Sequence, residues 1–275
     1  MVAAMAGFAI EDMFLKVAAE TVSTGQVLIW FGIIGGAIFA GIAKAQGQLL
    51  APHEVFQRTM MVRNSFEIGG RLFYTLAFVL TPLSSATAIL QATPIVVVAG
   101  AALVFGEKVG WRRWTAILVG LSGVLIILQP GAESFTPLSI LAVLGMLGFA
   151  GRDLATRAAP KSLSGPVLGA WGFLMILIAG VGFSLWDFSP LAVPNGVGAL
   201  ALVAASGMGV LAYSCLTLAM RTGDVSAVTP FRYSRLIFGV MLGIIVFGET
   251  LTTSMILGSS VIVLSGLYIL ARGRR

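Results

Sequence analysis

About ten apolar runs, each near the length that crosses a hydrocarbon layer, occupy almost the whole chain. They fall at 1–19, 26–43, 66–81, 85–105, 114–129, 136–151, 166–186, 196–219, 226–247 and 253–271. A membrane-spanning helix takes roughly 20 apolar residues, and it satisfies its own backbone hydrogen bonds where no water is present. The pattern therefore predicts an all-α membrane protein with about ten transmembrane helices. Composition agrees. The chain of 275 residues is 58% hydrophobic and 10% charged, against roughly 25% charged in soluble domains. Little is left over for a water-soluble domain.

Several chemistries are excluded by what the chain lacks. There is one cysteine, Cys215, so no intramolecular disulfide forms, and it sits in an apolar run as a small packing residue. There is one histidine, His53, which argues against a His-rich metal site or a His-based catalytic triad. No G-x-x-x-x-G-K-[ST] loop is present, so the chain does not drive itself with ATP. No catalytic residue, metal or cofactor is expected. The isoelectric point near 10.0 does not imply a nucleic-acid partner. The basic residues lie between apolar runs, where they set orientation in a bilayer. The first run carries Glu11, Asp12 and Lys16 and has no cleavage-type ending, so it reads as a span.

Orientation follows from the loops. Connections after the second, fourth, sixth and eighth runs carry Lys44, Arg58, Arg63, Lys108, Arg112, Arg113, Arg152, Arg157, Lys161 and Arg221. The C-terminus adds Arg272, Arg274 and Arg275, while the other loops carry almost nothing basic. Both termini are expected in the cytoplasm, in an inner membrane. The polar stretch 44–65 reads as an interfacial helix, with Phe56, Met60 and Met61 on lipid and Arg58 and Arg63 at headgroups. Small-xxx-small spacings at Gly32/Gly36, Gly165/Gly169 and Gly239/Gly243 suit close helix crossings.

The sequence also contains itself twice. Gly7-Phe8-Ala9 with Asp12, Lys16 and Ala18 recurs as Gly148-Phe149-Ala150 with Asp153, Arg157 and Ala159. Trp30 and Trp171 keep the same offset. Thr75-Leu76-Ala77 matches Thr217-Leu218-Ala219, and Phe105-Gly106-Glu107 matches Phe247-Gly248-Glu249. Leu121-Ser122-Gly123 matches Leu264-Ser265-Gly266 after a slip of one residue. The halves divide as 1–130 and 131–275, with five spans each. An odd number of spans inverts the second half, a plan that places a substrate site at the repeat interface near the midplane. By the same register the sixth run extends further ahead of Gly148 than the first does ahead of Gly7, so the first helix is expected to be one to two turns shorter.

The Phe-Gly-Glu ending of the fourth span, the Ser-Gly of the fifth and the Asp-x-x-x-Lys/Arg of the first resemble the EamA-type family of the drug/metabolite transporter superfamily. The resemblance covers the whole chain. It implies a ten-helix exporter or exchanger of small metabolites, often amino acids. One departure stands out. Pro94 has Leu236 at the matching place, and the second half instead reads Thr229-Pro230-Phe231-Arg232-Tyr233-Ser234-Arg235.

That departure supplies the candidate site. Arg232 lies roughly 10 Å along the ninth run, and a charge near the bilayer centre costs about 2.5–3.5 kcal/mol on insertion scales. Arg232 and Arg235 share a helix face, so both are expected to line a cationic pocket for an acidic group. Arg71, with Tyr74 nearby, lies at similar depth, and Glu67 four residues earlier is its natural partner. Trp30, Trp171, Tyr213 and Tyr233 are aromatic candidates for stacking on a substrate. Asp12/Lys16 and Asp153/Arg157 are acid-then-base pairs at i,i+4, expected to gate the two mouths. Glu107 and Glu249 read as structural helix-end residues.

The expected function is secondary transport of a small molecule by a monomer in the lipid bilayer, with amino acids or related metabolites exported. The alternative is a larger anionic or nucleotide-derived metabolite, which the extra arginines favour. A membrane-embedded enzyme would need clustered His, Asp or Glu, which the chain lacks.

Overall fold

A computed structural model of the chain describes residues 1–80, 89–128, 138–188, 192–222, 224–247 and 253–272. Among them run α1 (Val2–Ala19), α2 (Thr24–Ala45), α3 (Arg58–Leu80), α4 (Thr93–Phe105), α5 (Trp111–Leu128) and α6 (Ser139–Ala158). They are followed by α7 (Gly165–Asp187), α8 (Gly196–Arg221), α9 (Ser234–Phe247) and α10 (Thr253–Arg272). The helix starts follow local chemistry. Ser164 accepts from the Val167 amide at 3.3 Å and Asn195 from the Gly198 amide at 2.8 Å, each satisfying one orphan donor of a first turn. α4 ends on Gly106, whose φ of +65° is left-handed, so glycine fits that stop.

The ten helices form two repeats that pack on each other through matched contacts. α2 crosses α7, and α5 crosses α10. α3 packs on α6 while α1 packs on α8, which is the same contact with the halves exchanged. α1 against α9 and α6 against α4 form another such pair. The repeated Gly-Phe-Ala motif makes the crossings close. A Cβ on Gly148 would lie 2.4 Å from the Gly70 Cα, and one on Gly7 would lie 2.9 Å from the Ala212 Cβ. In lipid, where apolar surface gives helices little reason to associate, such backbone approach is the main source of packing energy. Of the glycines picked out by spacing, Gly32 meets the Leu177 backbone and Gly169 the Phe39 ring, whereas Gly165 and Gly239 face open space.

Three expectations need correction. The ninth run is not one helix. A single helical turn at Val225–Val228 leads into a 3-10 segment, Thr229–Tyr233, before α9 begins. Pro230 lies in that segment and has no amide to continue an α-helical ladder. The stretch 44–65 holds only a 3-10 turn at His53–Phe56, and α3 already begins at Arg58. Phe56 and Met61 are exposed, but Met60 and Arg63 are 0% exposed. Arg63 and the buried Arg152 are thus bundle-interior residues and not headgroup anchors. As the repeat register leads one to expect, α1 begins five residues before Gly7 and α6 nine before Gly148, a difference of about one turn of 3.6 residues.

A chain of buried charges and a cavity at the repeat junction

The interior of the bundle is polar along one line. Arg63 on α3 donates from Nε to Thr156 Oγ1 at 3.0 Å and from Nη2 to the Leu168 carbonyl at 3.2 Å. Its Nη2 also donates to the Tyr213 hydroxyl. Tyr213 in turn donates to Glu67 Oε2 at 2.9 Å. The other Glu67 oxygen accepts from Arg152 Nη1 at 3.1 Å. Arg152 reaches Asp153 Oδ1 at 2.9 Å from Nε and 2.7 Å from Nη2. Asp153 Oδ2 accepts from Arg232 Nη1. The line crosses from α3 through α8 and α6 to the 3-10 segment, and each buried charge on it meets its counter-charge or a hydrogen-bonding group. A lone buried charge would cost far more.

Beside this line lies a cavity bounded by α1, α3, the start of α4, α6, the 3-10 segment and α9. Its charged lining is Glu11, Asp12, Arg71, Arg152, Arg232 and Arg235. Phe8, Tyr74 and Phe149 supply rings. Arg235 sits 5.2 Å from the Phe8 ring centroid, and Arg152 and Arg71 sit 5.2 and 5.8 Å from that of Phe149. Tyr74 meets Phe149 edge to face at 5.8 Å. Cations over ring faces and hydrogen-bonding groups between them suit a flat, polar-edged molecule.

The structure brings together Arg71, Tyr74, Arg232, Arg235 and Asp12 from the expected set. Asp153 stands directly behind Arg232, and Tyr213 lies further back along the line, beyond Arg152, on Glu67. The others lie elsewhere. Tyr233 is buried, with its hydroxyl on the Ile117 carbonyl at 3.2 Å and its ring against Gly120. Trp171 donates to the Leu50 carbonyl at 2.8 Å and packs on Phe56. Trp30 is 38% exposed on the outer surface of α2. Lys16 is exposed on α1, and Arg157 is half-buried near the end of α6.

The pairing also differs from the expected local one. Asp12 is engaged by Arg235, and both oxygens of Asp153 are taken by Arg152 and Arg232. Both oxygens of Glu67 are taken by Arg152 and Tyr213, not by Arg71. Three site residues escaped the sequence reading. By sequence alone Arg63 and Arg152 look like loop cations, and Glu11 like part of a charged helix end. The repeat register held the signal for one of them. Glu11 matches Arg152, and Gly209 on α8 matches Glu67 on α3. Where Arg152 finds Glu67, Glu11 meets a glycine, and its buried Oε2 has no hydrogen-bond partner among the described residues.

Glu107 of the first Phe-Gly-Glu has the structural role expected. Its carboxylate accepts from the amides of Val225 at 3.1 Å and Ser226 at 3.2 Å, capping the turn that leads to the broken segment. Glu249 lies outside the described residues.

A helical bundle of two cross-packed repeats, with a charged cavity at their junction beside a broken helix, is the arrangement that inverted-repeat membrane carriers share. The chain belongs to the EamA-like transporter family, whose model matches residues 1–129 and 137–271. It is 29% identical over 194 residues to a riboflavin transporter of Rhizobium johnstonii, covering 70% of this chain and 64% of the relative. It is 32% identical over 189 residues to a riboflavin transporter of Vibrio cholerae, covering 68% and 62%. The chain thus spans just under two thirds of the length of these relatives. An S-adenosylmethionine uptake transporter of Rickettsia felis is 23% identical over 203 residues, covering 73% of this chain and 67% of that protein. A solved crystal structure shares the fold with a TM-score of 0.82 at 20% identity, covering 99% of both chains. The chain is a multi-pass membrane protein of a transporter family.

Proposed function

We propose that this protein is a secondary transporter for an organic metabolite larger than an amino acid, of flavin-like or nucleoside-derived build. The size class rests on the riboflavin- and S-adenosylmethionine-transporting relatives, and the chemistry on the cavity, where four arginines and two carboxylates alternate with the rings of Phe8, Tyr74 and Phe149. Such a lining gives a heterocycle faces to stack on and edges to hydrogen-bond. The family and the riboflavin- and S-adenosylmethionine-transporting relatives support this reading over amino-acid export. The two halves, 1–130 and 131–275, rock about the cavity and expose it to one side at a time. The chain works as a monomer in the bacterial inner membrane with both termini in the cytoplasm.

The test is transport by the purified chain in liposomes, with radiolabelled riboflavin, S-adenosylmethionine and a mixture of amino acids offered separately. The expected result is saturable movement of riboflavin or S-adenosylmethionine that an excess of the unlabelled compound abolishes. Movement of the amino acids alone refutes the size class, and movement of none of them refutes the reading.

A further inference from the structure

The repeat register matches Asp12 with Asp153, and each is held by an arginine that only the second half possesses. The first half has Leu90 and Thr93 at the places of Arg232 and Arg235. Yet the two ion pairs are built differently. Asp153 and Arg232 have side chains 2% and 13% exposed, and Asp153 is braced from behind by Arg152 on Glu67. Asp12 and Arg235 are 52% and 33% exposed, and both bonds run to one oxygen, Asp12 Oδ2. Arg235 lies over the Phe8 ring at the cavity wall, with Glu11, Tyr74 and the like-charged Arg232 as further ionisable neighbours. A buried pair with a second counter-charge behind it does not open without stranding a charge. A pair open to water is held weakly and exchanges readily.

From this contrast we infer that Asp12 is a stand-in for the substrate. In the empty carrier its carboxylate occupies the place on Arg235 that a carboxylate or phosphate of the substrate takes on binding. Arg232–Asp153 is a fixed strut and makes no such exchange. A guanidinium edge grips one carboxylate at a time, so Asp12 and the substrate anion compete for it. The competition has a purpose in the cycle. Arg235 stays charged in any surroundings, and either Asp12 or the substrate must neutralise it before the halves close over it. Asp12 thereby lets the empty carrier return. The inference rests on the transporter reading above and adds that the substrate carries an anionic group.

The test uses the full chain with S-adenosylmethionine, which has a carboxylate, and decarboxylated S-adenosylmethionine, which lacks it. Asp12→Asn removes the competitor. The expected result is about two- to fivefold tighter binding of S-adenosylmethionine, the worth of an exposed ion pair, with the decarboxylated compound unchanged. In liposomes the variant should keep exchange of S-adenosylmethionine across the bilayer while net flux into empty liposomes falls. Arg235→Gln should erase the preference for the carboxylated compound. If Asp12→Asn binds S-adenosylmethionine no tighter, shifts both compounds alike, or loses exchange and net flux together, the stand-in role is overturned. Retained preference in Arg235→Gln overturns it as well. If neither compound binds while riboflavin is still transported, the anion place fails and the transporter reading stands. If the wild-type chain moves none of the compounds, the transporter reading itself has failed.

Discussion

Glu67 is the residue on which the interior charge line turns, and replacing it isolates the worth of that line. Its carboxylate is 0% exposed and accepts from Arg152 on one oxygen and Tyr213 on the other. Glu67→Leu keeps the volume apolar and deletes both acceptors. Arg152 keeps Asp153, but Tyr213 then faces Arg63 with no acceptor for its proton. Deleting one partner of a buried ion pair costs about 3–5 kcal/mol. Tyr213→Phe removes a hydroxyl that joins Arg63 to Glu67, and leaves a buried polar group short of one bond on each side, about 1–3 kcal/mol. At roughly 2–4 °C per kcal/mol for a chain of this size class, Glu67→Leu should lower the unfolding midpoint by about 6–20 °C and Tyr213→Phe by about 2–12 °C. Because the two changes strike one network, the double variant should lose less than the sum, with a coupling of about 0.5–3 kcal/mol. Thermal unfolding in detergent, followed by size-exclusion fluorescence, measures all three variants. A Glu67→Leu midpoint within about 2 °C of wild type, below the shift expected from 1 kcal/mol, or strict additivity in the double variant, refutes the argument.

Gly148→Leu places a side chain where a bare Cβ already lies 2.4 Å from Gly70; the variant should fail to give a monodisperse protein in detergent, whereas Gly165→Ala, with open space around it, should be indistinguishable from wild type. Glu107→Ala removes the cap on the Val225 and Ser226 amides and should cost about 0.5–2 kcal/mol in thermal unfolding, with Glu107→Gln recovering part of it. Trp30→Leu and Trp171→Phe lie away from the cavity, so the half-saturating concentration of a transported substrate should stay at the wild-type value in both. For orientation, single cysteines placed at 192 and 274 in a Cys215→Ala background should label from opposite sides of the membrane, and labelling of both from one side refutes the odd-span inversion.

The span pattern, the two repeats and the family were all legible in the sequence, because lipid enforces long apolar runs and an internal repeat writes the same motif twice. Arg71, Tyr74, Arg232 and Arg235 were legible as cavity residues for a related reason: a charge inside an apolar run is costly, so it marks a polar place. Arg63 and Arg152 were not, because each lies at the edge of its run, where a buried cation and a loop cation look alike. Their burial depends on how far α3 and α6 extend, and that is settled by α3–α6 crossing rather than by local hydropathy. The break before α9 was marked by Pro230, but proline also occurs inside membrane helices, so it did not separate a kink from a 3-10 segment. The aromatic candidates divided by depth of packing. Tyr233 went to the α5–α10 crossing and Trp171 to the turn after α2, and residue type alone does not reveal either.

The charge distribution explains why the repeat symmetry is imperfect where it is. Two identical halves would place identical charges on either side of the junction, and like charges close together repel. This chain instead sets Glu11 against Arg152, Gly209 against Glu67, Leu90 against Arg232 and Thr93 against Arg235 at matched positions. The backbone crossings built from Gly7 and Gly148 keep the geometry the two repeats share, while the departures fall on residues that line or back the cavity. Three of the four cavity arginines, Arg152, Arg232 and Arg235, come from the second half, and the first half sets Arg71, Glu11, Asp12 and the rings of Phe8 and Tyr74 against them.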